Sequence, residues 1–103
     1  MSEQQFAELN SQKYPLPSVT SLQHCSKLGM VEDKPIMLDY WTGSCDKVVF
    51  VGIRENEEKL LVKNEEEYTS PVCKIYQVAT EYIIITENSI YLVRNDIETK
   101  RIS

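Results

Sequence analysis

Apolar positions change their spacing along this chain, and the change marks where one kind of element gives way to another. Between residues 18 and 29, Val19, Leu22, Cys25 or Ser26, and Leu28 fall near helical steps, the spacing of one helical face. Ser18 precedes them with a hydroxyl able to accept an N-terminal amide hydrogen. Gly29 follows them and suits the left-handed position after a last turn. Together these features predict a short helix over 18–29. Upstream, residues 1–17 are dominated by Ser, Glu, Gln and Asn, with Pro15 and Pro17 flanking Leu16. Proline restricts itself and the residue before it, so Tyr14–Pro17 is expected to be extended. Residues 1–10 are expected to be disordered, whereas for Tyr14 and Leu16 docking, on the domain or on a neighbour, is expected as much as a disordered tail.

From residue 36 the pattern becomes that of strands. Ile36–Trp41 is the first candidate, ended by the turn residues Thr42-Gly43-Ser44. Lys47–Arg54 carries Val48, Val49, Phe50, Val51 and Ile53, a run of high β propensity. The polar Glu55–Glu58 joins it to Lys59–Lys63 as a hairpin. Asn64-Glu65-Glu66-Glu67 has the spacing of a capping box and reads equally as one helical turn or as an exposed acidic loop. The C-terminal third predicts a meander of Cys73–Val78, Tyr82–Thr86 and Ser89–Arg94, with Asn88 taking the positive φ of a tight hairpin loop. With Glu87-Asn88 as a two-residue loop, Ile85 faces Ile90 and Ile83 faces Leu92. Alternation then puts Tyr76, Val78, Ile83, Ile85, Ile90 and Leu92 on one face, the expected core. The opposite face carries Ile75, Gln77, Tyr82, Ile84, Tyr91 and Val93, too apolar to be left in water.

These elements define a mainly β or α+β fold: about six antiparallel strands in a small barrel or sandwich, with one short N-terminal helix. The expected organisation is an arm over 1–17, one β-rich domain over 18–94, and a polar tail over 95–103 that frays. The second sheet face is the expected self-association surface, formed by Ile75, Tyr82, Ile84, Tyr91 and Val93, because a twofold dimer covers such a patch with itself. The competing expectation is that the first hairpin closes over it within one chain. Tyr40-Trp41 is a candidate aromatic anchor for an interface, against the alternative of core packing with the indole N–H satisfied.

Composition narrows the function. The 103 residues fit one domain, and the net charge of −5 repels a phosphate backbone at long range. An OB-like nucleic-acid module is therefore a minor alternative, since Tyr82 and Tyr91 also lack interleaved basic residues. No apolar run approaches the length of a membrane span. Cys25, Cys45 and Cys73 are odd in number and widely spaced, unlike a disulfide framework, and Met1–Asn10 lacks an apolar signal core. An intracellular, cytoplasmic, reducing setting is expected.

Candidate chemistry is sparse. His24 and Cys25 are adjacent, and neighbours on a helix point about 100° apart, so they do not form a catalytic pair by themselves. His24 with Cys25, Cys45 and Cys73 makes the ligand count for zinc but lacks the paired short spacings of such sites. Glu55, Glu57, Glu58 and Glu65–Glu67 lack the Asp/Asn-rich loop with a central glycine that calcium sites use. Asp39 and Asp46 have nothing that sets their separation. Gly29, Gly43 and Gly52 are too dispersed for a phosphate loop. No catalytic residue, metal site or cofactor is therefore expected. A small cysteine- or carboxylate-dependent enzyme is the alternative from another class.

The stretch from Ile36 to Val93, with Met37-Leu38-Asp39-Tyr40-Trp41 and Ile83-Ile84-Ile85-Thr86-Glu87-Asn88-Ser89-Ile90-Tyr91, resembles small proteins of unassigned function in giant DNA viruses, the marseilleviruses in particular. The resemblance implies a self-associating virion or virus-factory protein in an infected cytoplasm, and it carries over no site residue. The expected function is thus non-enzymatic binding or structure, exercised through a homodimer and through contacts with other proteins.

Overall fold

A computed structural model describes residues 14–102; the expected disorder of residues 1–10 lies outside them. Helix α1 spans Val19–Glu32. Ser18 caps it, its Oγ accepting from the Ser21 amide at 3.2 Å. The helix runs past Gly29, and Asp33 rather than glycine takes the left-handed position, at φ 53°. Carboxylate-bearing Asp tolerates that region better than most residues, and Gly29 instead sits inside the helix against Ile36.

Strand β1 is only Ile36–Met37. The rest of the expected first strand folds differently: Trp41–Cys45 is a five-residue helix, α2. Thr42-Gly43-Ser44 therefore lies within a helical turn rather than ending a strand. The turn sends two adjacent aromatics into different layers. Trp41 is buried beside α1, while Tyr40 is buried among Val49, Val51 and Leu61. A strand also sends neighbours to opposite faces, but this turn lets the chain fold back at once. The Gly43 carbonyl accepts from the amides of both Val48 and Val49, and a Cβ on Gly43 would stand 2.7 Å from Val49 Cγ2.

The remaining strands are β2 (Phe50–Ile53), β3 (Lys59–Val62), β4 (Val72–Val78), β5 (Glu81–Thr86), β6 (Ile90–Arg94) and β7 (Thr99–Arg101). They form two open, mixed sheets in the orders β1-β6-β5-β4 and β3-β2-β7. The architecture is α+β, as the pattern predicted. It differs from six antiparallel strands in that β1 runs parallel to β6 and β7 parallel to β2. The meander has the expected register, with Ile85 opposite Ile90 and Ile83 opposite Leu92. Its Glu87-Asn88 loop does not need positive φ at Asn88; the Thr86 hydroxyl holds it by accepting from the Asn88 and Ser89 amides. Asn64–Glu67 forms no helix. Asn64 Oδ1 accepts from the Glu66 and Glu67 amides at 2.8 and 3.0 Å, so the capping chemistry closes a loop instead.

Two cores result. On one face of the four-stranded sheet, Ile83, Ile85, Ile90 and Leu92 pack with Cys25, Leu38 and Trp41 beneath α1. On the other, Ile84 and Val93 pack with Tyr40, Val49, Val51 and Leu61 of the second layer. The face expected to await a second copy is thus covered within the chain. The three layers are held by burial worth roughly 1.5–3 kcal/mol per large apolar side chain. The expected frayed tail is also ordered over most of its length. Thr99–Arg101 pairs along β2, and Ile97 packs against the inter-sheet core.

Candidate functional site

The four-stranded sheet ends on β4, which among the described residues pairs with β5 alone. Val72–Val78 is a good strand sequence, rich in β-branched and aromatic residues, and at seven residues it is the longest strand among the described residues. Its five central residues, Cys73 to Gln77, are all exposed. The two-residue loop Ala79-Thr80 makes Val78 and Glu81 a bonded pair. Alternation along an antiparallel ladder then turns Tyr76 toward β5 and leaves the N–H and C=O of Ile75 and Gln77 facing outward. Such an edge is a template for another strand. The devices that usually blunt one are few here: one charge, Lys74, and an irregularity at Cys73.

Beside this edge lies an open cleft of about 390 Å³ between β4 and α1, lined by His24, Lys27, Leu28, Val31, Tyr76 and Val78. Val31 and Tyr76 are exposed at 77% and 38%. The lining is mainly apolar, with His24, Lys27 and Gln77 as its nitrogen-bearing side chains, which suits the side chains of an extended segment. A second cleft, about 410 Å³, lies on the outer face of the three-stranded sheet, between Tyr68 and Ile102 over Phe50, Leu60 and Val62. The cations near it are engaged: Arg54 pairs with Glu58 and Lys100 with Glu98.

The residues singled out from the sequence separate. Ile84 and Val93 are fully buried, Tyr82 and Tyr91 are half-buried against the second layer, and only Ile75 remains exposed, at 38%. As a set they are not available to a second copy. The reason is packing: Tyr40 meets Tyr91 edge-on at 5.1 Å, and Leu61 and Val51 fill the space above Ile84. Tyr40 and Trp41 are core residues rather than surface anchors. The Trp41 indole N–H donates to the Pro15 carbonyl at 2.8 Å, and the Tyr14 hydroxyl donates to Asp46 at 2.6 Å. These bonds tie Tyr14–Pro17 to its own domain.

His24, Cys25, Cys45 and Cys73 lie on α1, α2 and β4. Among the described residues no three metal-ligating side chains come together. Burial pushes the Cys25 thiol up to about 11, the opposite of an activated nucleophile. Cys45 is also raised, by burial first, with Arg94 opposing. Asp46 is engaged with Tyr14. Among the described residues no helix is long and apolar enough to cross a membrane, a statement that leaves strands aside.

One group escaped the sequence reading. Glu81, placed there in a loop, is 4% exposed. Its Oε1 accepts from Ser18 Oγ at 2.7 Å and Ser21 Oγ at 2.6 Å, and its Oε2 from Thr80 Oγ1 at 2.6 Å. Burial acts to raise its carboxyl, but the hydroxyls of Ser21, Thr80 and Ser18 and the Ser18 amide outweigh it, and the net direction is downward. The carboxylate clamps the N-terminus of α1 to the β4–β5 turn. Ser18 and Ser21, three residues apart on the helix, were the available signal.

Fold and edge together define a three-layer α+β protein with one long open strand. No protein-family model, curated protein or solved structure matches the chain.

Proposed function

We propose that this chain is a non-enzymatic binding and structural protein that acts by accepting a strand of another polypeptide along β4. The observation that carries this reading is the run of exposed residues Cys73–Gln77 on the longest strand among the described residues, at the free end of its sheet. An added strand pairs with the outward amides and carbonyls of Ile75 and Gln77, and the main chain supplies the affinity. Its alternate side chains reach the α1 cleft beside Tyr76 and Val31, which supplies selectivity. Dispersed cysteines and a protonated, buried Cys25 support a role without covalent catalysis. The marseillevirus resemblance extends the proposal to assembly in a virion or virus factory.

Selection of displayed random peptides on the full chain tests this. Peptides that bind are expected to be extended and β-prone. Gln77→Pro removes an outward N–H while leaving the β5 ladder in place, a substitution that edge strands tolerate. It is expected to abolish capture with the urea midpoint retained. Enrichment of no peptide, or binding indifferent to Gln77→Pro, overturns the proposal.

A further inference from the structure

We infer that the strand added to β4 is the β4 of a second copy of this chain, antiparallel about a twofold axis at Ile75. The inference rests on the strand-addition reading above. A twofold interface brings the same surface to itself, and antiparallel pairing of identical strands is the backbone form of that symmetry. Because Ile75 is the middle residue of Val72–Val78, an axis there sets Lys74–Tyr76 directly against their symmetry mates, and the irregularity at Cys73 limits regular pairing beyond them. The axis also matches outward-facing residues, since Ile75 exchanges both hydrogen bonds with its symmetry mate. The two four-stranded sheets then continue as one.

Charge and sterics choose this register over its neighbours. Lys74 is the single charge of β4. With the axis at Ile75 it stands opposite the second copy's Tyr76, where an ammonium over a phenol ring is attractive. Moving the axis to Lys74 sets two like charges directly opposite, which is destabilising. Moving it to Tyr76 runs Cys73 into the second copy's Ala79-Thr80 turn, which ends the ladder. The other edges are poorer templates. Strand β1 has two residues, and β7 has three, two of whose side chains are tied into ion pairs, Lys100 with Glu98 and Arg101 with Glu57. On β3, Val62 is bridged by Tyr68. Each chain carries a net charge of −5, so added salt is expected to strengthen association by screening.

Light scattering after gel filtration of the full chain, run over a wide concentration range, reads the result. A dimer mass is expected at high concentration. Ile75→Lys puts two ammonium groups on the axis and is expected to weaken association at least about tenfold, with the urea midpoint of the monomer retained because residue 75 is exposed. Ile75→Cys in a Cys73→Ser background is expected to yield a covalent dimer when diamide supplies the oxidant, since Cα atoms of a bonded pair lie within disulfide reach. A monomer mass at every concentration overturns the inference, as does a dimer that Ile75→Lys leaves intact and Ile75→Cys fails to cross-link. A monomer that still captures displayed peptides removes the second copy but keeps the open edge; a monomer that captures none removes both.

Discussion

Replacing Glu81 with glutamine removes a buried charge while keeping the side chain's shape, so it isolates what the carboxylate contributes. In the wild type Glu81 accepts from three hydroxyls at 2.6–2.7 Å, and of their residues Ser21 is fully buried. Hydrogen bonds to a charged group contribute about 1.5–3 kcal/mol each, neutral ones about 0.5–1.5. The glutamine side chain retains one carbonyl oxygen for Ser18 and Ser21, and the exposed Thr80 hydroxyl rotates to accept from the new amide. The change therefore weakens bonds rather than orphaning a buried donor. The expected loss is about 1–2 kcal/mol at pH 7, or roughly 4–8 °C in Tm per kcal/mol for a domain of this size. The pH dependence is the sharper signature. The folded carboxyl lies below its ordinary value of 4.5, so the stabilisation is complete above that value and drains as pH falls through the folded value. Urea unfolding of both proteins from neutral pH downward is expected to show two midpoints that converge in acid. Equal midpoints at neutral pH, or a gap that stays constant into acid, would refute the clamp.

Three further outcomes follow from particular contacts. Ala79→Gly is expected to stabilise the chain by about 0.5–1 kcal/mol in urea, because Ala79 sits at φ 52°, a region where a Cβ is strained. Gly43→Ala is expected to cost about 1–3 kcal/mol and more than Gly52→Ala, since its Cβ meets Val49, which is 1% exposed, whereas at Gly52 the nearest atom is the flexible Ile102 Cδ1; calorimetry of the two variants checks the order. A disulfide reagent is expected to titrate Cys73 first, Cys45 next and Cys25 only at the rate of unfolding, following their exposed, half-buried and buried positions; rapid reaction of Cys25 would contradict its burial.

Local chemistry determined a good part of this fold. The β5–β6 register was legible because side chains alternate with period two and a two-residue loop permits one alignment, so Ile83–Leu92 and Ile85–Ile90 followed directly. Ser18 as a cap was legible because capping uses atoms three residues away. Tertiary structure decided what depends on residues distant in sequence. Thr99–Arg101 looks like a tail because all three side chains are exposed; what orders it is main-chain pairing with β2, which leaves no trace in polarity. Trp41 falls in a helix, and its indole packs in the α1 core and donates to the Pro15 carbonyl, contacts with residues far from it in sequence. The candidate site moved for the same reason. Alternation identified Ile84 and Val93 as an apolar face, but not whether Val51 and Leu61 or a second chain would cover it, since both remove the same area from water. Once the second layer takes that face, the unsatisfied valence of the sheet is its β4 edge, a property of backbone groups that every residue carries alike.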